Sequence, residues 1–308
     1  MPVKIPNTLP ARAVLEQENV FVMVEGRAIH QNIRPMRVAI LNLMPTKIAT
    51  ETQLLRLLGN TALQVDVTLL YTSTHEAKNV HAQHLLDHYV TFTTVREQYF
   101  DGLIITGAPV EQLDFDQVDY WPELVEILKW AETHVSANLY ICWGAQAALH
   151  YRYGVPKYPL PHKLFGVFKH KVLVANEPLL RGFDDYFHAP HSRHTEVRRA
   201  DIERVNELRI LAESEEAGVH IAATHDGRHI FVTGHPEYDP LTLRTEYERD
   251  YLLALPIAIP RHYFLDDDPT QVPQVRWRSH ANLLFSNWLN YYVYQVVAFE
   301  KQRRSKDE

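Results

Sequence analysis

The chain has 308 residues, 46% of them apolar and 22% charged, with a formal charge of −7. That length buries a full core in one large or two modest domains, and the proportions are those of an ordinary soluble globular protein. An acidic balance with no basic stripe to offset it excludes nucleic acid as the main partner.

Met1-Pro2-Val3-Lys4 has no apolar signal-peptide core. The most apolar late stretch, Tyr251 to Ile259, is too short to span a bilayer and contains Pro256, so no membrane partner is expected. The single cysteine forms no internal disulfide, which fits a reducing, cytoplasmic location.

In chain order, a helix is predicted over 11–18. Arg37 to Leu43 reads as a strand buried on both faces, closed by Pro45-Thr46-Lys47. Leu54, Leu55, Leu57 and Leu58 then sit at helical spacing, and Gly59-Asn60 stops that helix. A strand over 63–71, a weak helix over 82–89 and a strand over 100–106 follow, the last ended by Gly107-Ala108-Pro109. An amphipathic helix over 121–134 leads into Leu139 to Cys142, a fourth strand. Strands alternating with helices imply an α/β fold: a mainly parallel sheet flanked by helices, with right-handed crossovers. Ligands in such sheets bind beyond the strand C-terminal ends, where Lys47, Gly107 to Glu111 and Cys142 all fall.

The second half changes character. Residues 172–174, 208–212, 219–224 and 229–233 read as shorter, alternating strands that complete the domain in antiparallel fashion. A helix over 240–253, a Pro/Asp-rich loop over 260–273 and an aromatic helix over 281–297 follow. One domain over 35–298 is expected, with an N-terminal extension over 1–34 and a polar tail over 299–308.

The stretch NLYICWGAQAALH organises the chemistry. A strand turning sharply into a helix through Gly144 places Cys142 at the strand tip, facing the helix N-terminus, which stabilises a thiolate. A cysteine nucleophile needs a base, and the base needs an orienting group. FVTGHPE supplies both: His235 and Glu237, two apart beyond a strand end, face the same way. Pro236 between them suits a strand end, because it donates no hydrogen bond. Backbone N–H groups for an oxyanion are expected from Trp143 and from Ala108 in the neighbouring glycine turn.

Cys142, Gly144 and Gln146 with His235-Pro236-Glu237 resemble the class I glutamine amidotransferase pattern, which implies a flavodoxin-like fold. Tyr140 departs from it, since glycine is common there. The wider resemblance is to the homoserine O-acyltransferases (homoserine transsuccinylase family) of methionine biosynthesis. It covers Pro10 to Met23, Val38 to Asn60 with LNLMPTK, FDGLIITGAP, the elbow, GHPEYD and WRSHANLLFSNWLNYYVYQ.

That resemblance implies acyl transfer to L-homoserine through an acyl-cysteine, with acetyl-CoA as co-substrate, no cofactor, and a homodimer. It assigns Lys163, Ser192 and Arg249 to the homoserine site and Lys47 to the vicinity of the acyl site. Arg249 offers a planar fork for a carboxylate, and Glu246, one turn earlier on the same helix face, can accept from an ammonium. In the resembling family, glycine at the position of Glu111 accompanies succinyl donors and glutamate accompanies acetyl donors. Rival readings are succinyl transfer, a glutamine amidotransferase subunit, and a binding module with Cys142 as a redox sensor. His188, His191 and His194 around a proline lack a fixed helical face, so no metal is expected. Asp266-Asp267-Asp268 reads as a solvated turn.

Overall fold

The apolar runs of the sequence become the middle of one twelve-stranded sheet in this computed structural model, which describes residues 3–6, 8–18, 20, 22–24, 34–74 and 82–295. The strands are β1 (Val3–Ile5), β2 (Val22–Val24), β3 (Met36–Leu41), β4 (Val65–Tyr71), β5 (Tyr89–Thr91) and β6 (Phe100–Ile105). They continue with β7 (Val135–Ile141), β8 (Tyr158–Val172), β9 (Tyr186–Glu196), β10 (Leu208–Ser214), β11 (Gly218–Thr224) and β12 (His229–Val232). Their spatial order is β2-β1-β4-β3-β6-β7-β12-β11-β10-β8-β9, with β5 also paired to β4. From β2 through β12 every neighbouring pair is parallel, and from β12 to β9 every pair is antiparallel.

Burial on both faces explains the unbroken apolar runs of the central strands. Val38 and Ile40 of β3 join one core layer with helices α1 (Ala11–Gln17), α2 (Lys47–Gly59) and α6 (Arg278–Asn287), which contribute Leu15, Leu55 and Phe285. Ala39 and Leu41 join the opposite layer with α3 (Trp121–His134) and α4 (Trp143–Tyr153), through Leu124, Ile127 and Leu149. A third, smaller cluster holds Phe165, Tyr238, Tyr263 and Trp277 over the antiparallel half, beside α5 (Thr242–Leu252). No helix of the described residues is long and apolar enough to cross a membrane.

Several expectations need adjustment. The strands β8 and β9, the largest antiparallel pair, are largely absent from the sequence reading, because His, Lys, Arg and Ser residues mask their alternation. Of the predicted 172–174 strand only Val172 is in a strand, as the last residue of β8. The aromatic C-terminal helix starts at Arg278 and changes to a π-helical stretch at Trp288–Tyr294. Its predicted end at 296–297 and the tail from 299 lie outside the described residues, as does 25–33 of the N-terminal segment. The described part of that segment adds β1 and β2 to the sheet edge through β4.

The parallel strands β3, β6, β7 and β12 are consecutive neighbours, so the loops after them open along one edge. The helix α4 is drawn tightly against β6: a Cβ on Gly144 would lie 2.6 Å from the Thr106 carbonyl oxygen and 2.8 Å from that of Ile105. Both obstacles are backbone and cannot rotate away. Gly144→Ala is therefore expected to lower the unfolding free energy by about 1–3 kcal/mol, the usual cost of overpacking. Urea unfolding checks this, and an unchanged midpoint would show that α4 can lift from β6 freely.

Candidate active site

The turn between β7 and α4 is strained at Cys142. Cys142 has φ 50° and ψ −116°, a backbone conformation that a side chain rarely adopts. Three backbone hydrogen bonds hold it there. Its N–H donates to Val232 of β12 at 2.7 Å, and its carbonyl accepts from Ala145 and Gln146 at 3.0 and 3.2 Å. The thiol is 4% exposed and stands at the opening of α4, toward the unpaired N–H groups of the first turn.

The strand β12 ends beside β7 in parallel register, Val232 opposite Ile141, so the segment after it runs past the thiol. His235 Nδ1 lies 2.7 Å from Glu237 Oε1, and the His235 ring and Cys142 both border the Gly107 turn. With Nδ1 engaged by the carboxylate, Nε2 is the nitrogen left for the sulfur. Both residues are buried. Burial works against a charged imidazole, but Cys142 and Glu237 together raise His235 well above its ordinary value. The His235 N–H donates to Pro190 of β9 at 2.8 Å, which ties the segment to the antiparallel half.

The Gly107 turn closes the third side. A Cβ there would meet Cys142 Cβ at 3.2 Å and His235 Cε1 at 3.4 Å, so glycine lets this backbone approach the pair without crowding it. Ala108 follows it and is buried. Trp143 opens α4, so its N–H has no acceptor within the helix. Glu111, 8% exposed, accepts the His194 N–H at 2.8 Å. Burial raises its carboxyl, against the pull of that amide and of the charges at His235, Arg193 and Lys163.

A second group lies next to the base. Glu246 of α5 accepts from Ser192 Oγ at 2.5 Å, from Tyr238 OH at 2.8 Å and from Lys163 Nζ at 3.3 Å. Tyr238 stacks on the His235 ring, centroids 4.2 Å apart. Glu246, Ser192 and Lys163 are thus brought together, as expected. Arg249 is not drawn into the same knot: its side chain is 58% exposed, and its fork is folded onto Asp250, 2.7 Å away. Asp250 in turn faces Lys163 at 3.7 Å. Lys47 is buried at the start of α2 and donates to the carbonyls of Asn42 and Met44. Burial lowers its ammonium to about 8, against the pull of Glu51.

The histidines sort differently from their sequence spacing. His188 and His194 occupy the face of β9 opposite His191. Instead His191 meets His170 of β8 and His220 of β11, with ring nitrogens within 4.8 Å of one another. His191 Nδ1 accepts from Arg193 Nε at 3.4 Å, and its Nε2 lies 3.0 Å from His170 Nε2. Both nitrogens of the middle ring are therefore engaged. Burial lowers all three rings, His170 to about 3, and the Arg193 charge lowers them further. Tyr238, Asp250, Arg193 and this trio escape the sequence reading. Tyr238 alone carried a local signal, as the residue directly after Glu237.

A model of the family described as homoserine O-succinyltransferase matches residues 2–299. The chain belongs to that family. Among its relatives, the homoserine O-acetyltransferase of Acetivibrio thermocellus is 61% identical over 300 residues, spanning 97% of this chain and 98% of its own. That of Brevibacillus brevis is likewise 61% identical over 300 residues, with the same coverage. In fold, the homoserine O-succinyltransferase family member resembles a glutamine amidotransferase from Thermotoga maritima, with a TM-score of 0.55 and 13% identity over 85% of this chain and 100% of the other. The class I amidotransferase-like fold expected from the sequence is the observed one.

If Cys142, His235 and Glu237 work as one unit in this family member, their substitutions separate in size. His235→Ala is expected to lower kcat by about 10⁴-fold or more, and Glu237→Ala by less, because an orienting carboxylate contributes less than the base. Cys142→Ser is expected to stay folded and lose turnover. Steady-state rates beside circular dichroism check this; equal losses for His235→Ala and Glu237→Ala would make Glu237 more than an orienter.

Proposed function

We propose that this chain is a homoserine O-acetyltransferase working by two displacements through an acetyl-Cys142. The Cys142 sulfur attacks the thioester carbonyl of acetyl-CoA, and the N–H groups of Trp143 and Ala108 receive the oxyanion. The bond to coenzyme A breaks, and His235 returns a proton to the leaving thiolate. Neutral His235, oriented by Glu237, then takes the proton of the γ-hydroxyl of L-homoserine as that oxygen attacks the acetyl-cysteine. The Cys142–acyl bond breaks and O-acetyl-L-homoserine leaves. Glu246, with Ser192 beside it, takes the ammonium of the amino acid, and Lys163 and Arg249 its carboxylate.

The observation that carries this reading is the fixed contact of Cys142, His235 and Glu237 at a strained elbow; the substrates come from the relatives named homoserine O-acetyltransferase. The Glu246 cluster suits the head group of an amino acid, and relatives 61% identical are named for acetyl transfer to homoserine, which favours acyl transfer over ammonia delivery. Incubation with acetyl-CoA in the absence of homoserine tests it: intact mass should rise by one acetyl group on Cys142. Glutamine hydrolysis without such an adduct would overturn it.

The donor assignment rests on Glu111. A succinyl chain would bring a second carboxylate to a buried one. Two such charges about 4 Å apart repel by roughly 4 kcal/mol at an effective dielectric near 20. Glu111→Gly is expected to shift the kcat/KM ratio toward succinyl-CoA by at least about tenfold. Because a protonated Glu111 carries no charge, discrimination by the wild type should weaken as pH falls through the raised range of that carboxyl. Steady-state assays with both donors decide it: a wild type that prefers succinyl-CoA would sink the assignment.

A further inference from the structure

Tyr238 follows the His-Pro-Glu run directly and is 7% exposed. Its N–H donates to the His235 carbonyl at 3.2 Å, and its carbonyl accepts from Trp277 Nε1 at 2.9 Å, so its backbone is fixed from both sides. Its ring packs in the cluster of Phe165, Leu243 and Trp277. A phenylalanine would fill that space equally well. A buried hydroxyl has to be hydrogen-bonded to be tolerated, so its partner shows what it is there for.

That partner is Glu246. The Tyr238 hydroxyl donates to Glu246 Oε1 at 2.8 Å. Ser192 and Lys163 take the other oxygen, at 2.5 and 3.3 Å, so Tyr238 is the donor that fixes Oε1. Burial, with the charges of Glu246 and Glu237, pushes the phenol well above its ordinary value, which keeps the proton on the tyrosine and the bond pointing one way. The other part of the same side chain meets the base. The Tyr238 and His235 rings lie 19° apart in plane with centroids 4.2 Å apart. Glu237 pins the imidazole at Nδ1, 2.7 Å away, and the stacked ring sets the plane in which it lies.

We propose that Tyr238 is a positioning residue that serves the two displacements differently: its ring sets the plane of His235 for both, and its hydroxyl sets Glu246 for the second alone. This rests on acyl transfer through Cys142, with His235 as the base and Glu246 receiving the ammonium of the amino acid. In a reaction of two displacements the halves are separable. The value of kcat/KM for acetyl-CoA reports acylation of Cys142, and that for homoserine reports transfer from it.

Tyr238→Phe keeps the ring and removes one hydrogen bond to a charged group. It should lower kcat/KM for homoserine by at least about tenfold and leave kcat/KM for acetyl-CoA within about twofold of the wild type. Tyr238→Leu removes the stacked ring as well, and should lower both parameters by about tenfold or more. A tyrosine that only supports the fold would give the phenylalanine variant equal losses in both. Equal losses therefore overturn the proposal, and so does a phenylalanine variant with the wild-type kcat/KM for homoserine. A folded leucine variant that acylates at the wild-type rate overturns the part assigned to the ring. Should circular dichroism show the leucine variant unfolded, the phenylalanine variant decides alone. A wild type that forms no acetyl-Cys142 strikes at the proposed reaction; a wild type that forms it, beside a phenylalanine variant without the split, strikes only at Tyr238.

Discussion

The approach of α4 to β6 sets the geometry on which everything else in the molecule depends. Gly144 lies against the carbonyls of Ile105 and Thr106, which holds the start of α4 tight to β6. Cys142 takes a positive φ there, with its N–H held by Val232 on one side and its carbonyl by the first turn of α4 on the other. Strain of this kind persists only where the surroundings over-determine it. Its consequence is chemical: the thiol projects at a helix N-terminus, with the Gly107 backbone packed close beside it and the His235 ring.

The parallel half positions Cys142. From the antiparallel half, β9 reaches across to it. Its His194 N–H holds Glu111, its Pro190 carbonyl holds the His235 backbone, its Ser192 joins Glu246, and its Arg193 and Thr195 lean on α4 through Gln146. Alternation along the strand divides these tasks: Ser192 and His194 face one way, His191, Arg193 and Thr195 the other. A single strand thereby places donor-facing, acceptor-facing and charge-bearing groups around one sulfur.

What could be read from the sequence alone follows from this division. The elbow and the His-Pro-Glu segment are local, each a few residues whose backbone and side-chain chemistry declare themselves without knowledge of the fold. That β3, β6 and β7 are parallel strands was likewise legible, since doubly buried strands are continuously apolar. The strands β8 and β9 were not, because a strand whose inward face carries His191, Arg193 and Thr195 has no hydrophobic alternation to find. The histidine trio depends on the pairing of three strands distant in sequence, and spacing along β9 points instead to His188 and His194, which face away. Arg249 shows the opposite limit. Helical spacing places it near Glu246, but the fork is turned to its chain neighbour Asp250, a choice of rotamer that no periodicity encodes.

Tyr238 joins the two substrate ends of the site. Its ring covers His235 and its hydroxyl donates to Glu246, so the carboxylate assigned to the amino group and the base assigned to the hydroxyl lean on the same side chain. In the absence of substrate, Glu246 is satisfied by Lys163, Ser192 and Tyr238 together. An incoming ammonium competes for those lone pairs. Of the three donors, Lys163 is the one with a second carboxylate, Asp250, and a new carboxylate from the same ligand to turn to. Exchange of partners without exposure of an unpaired charge lets a polar amino acid enter a poorly hydrated site at little electrostatic cost.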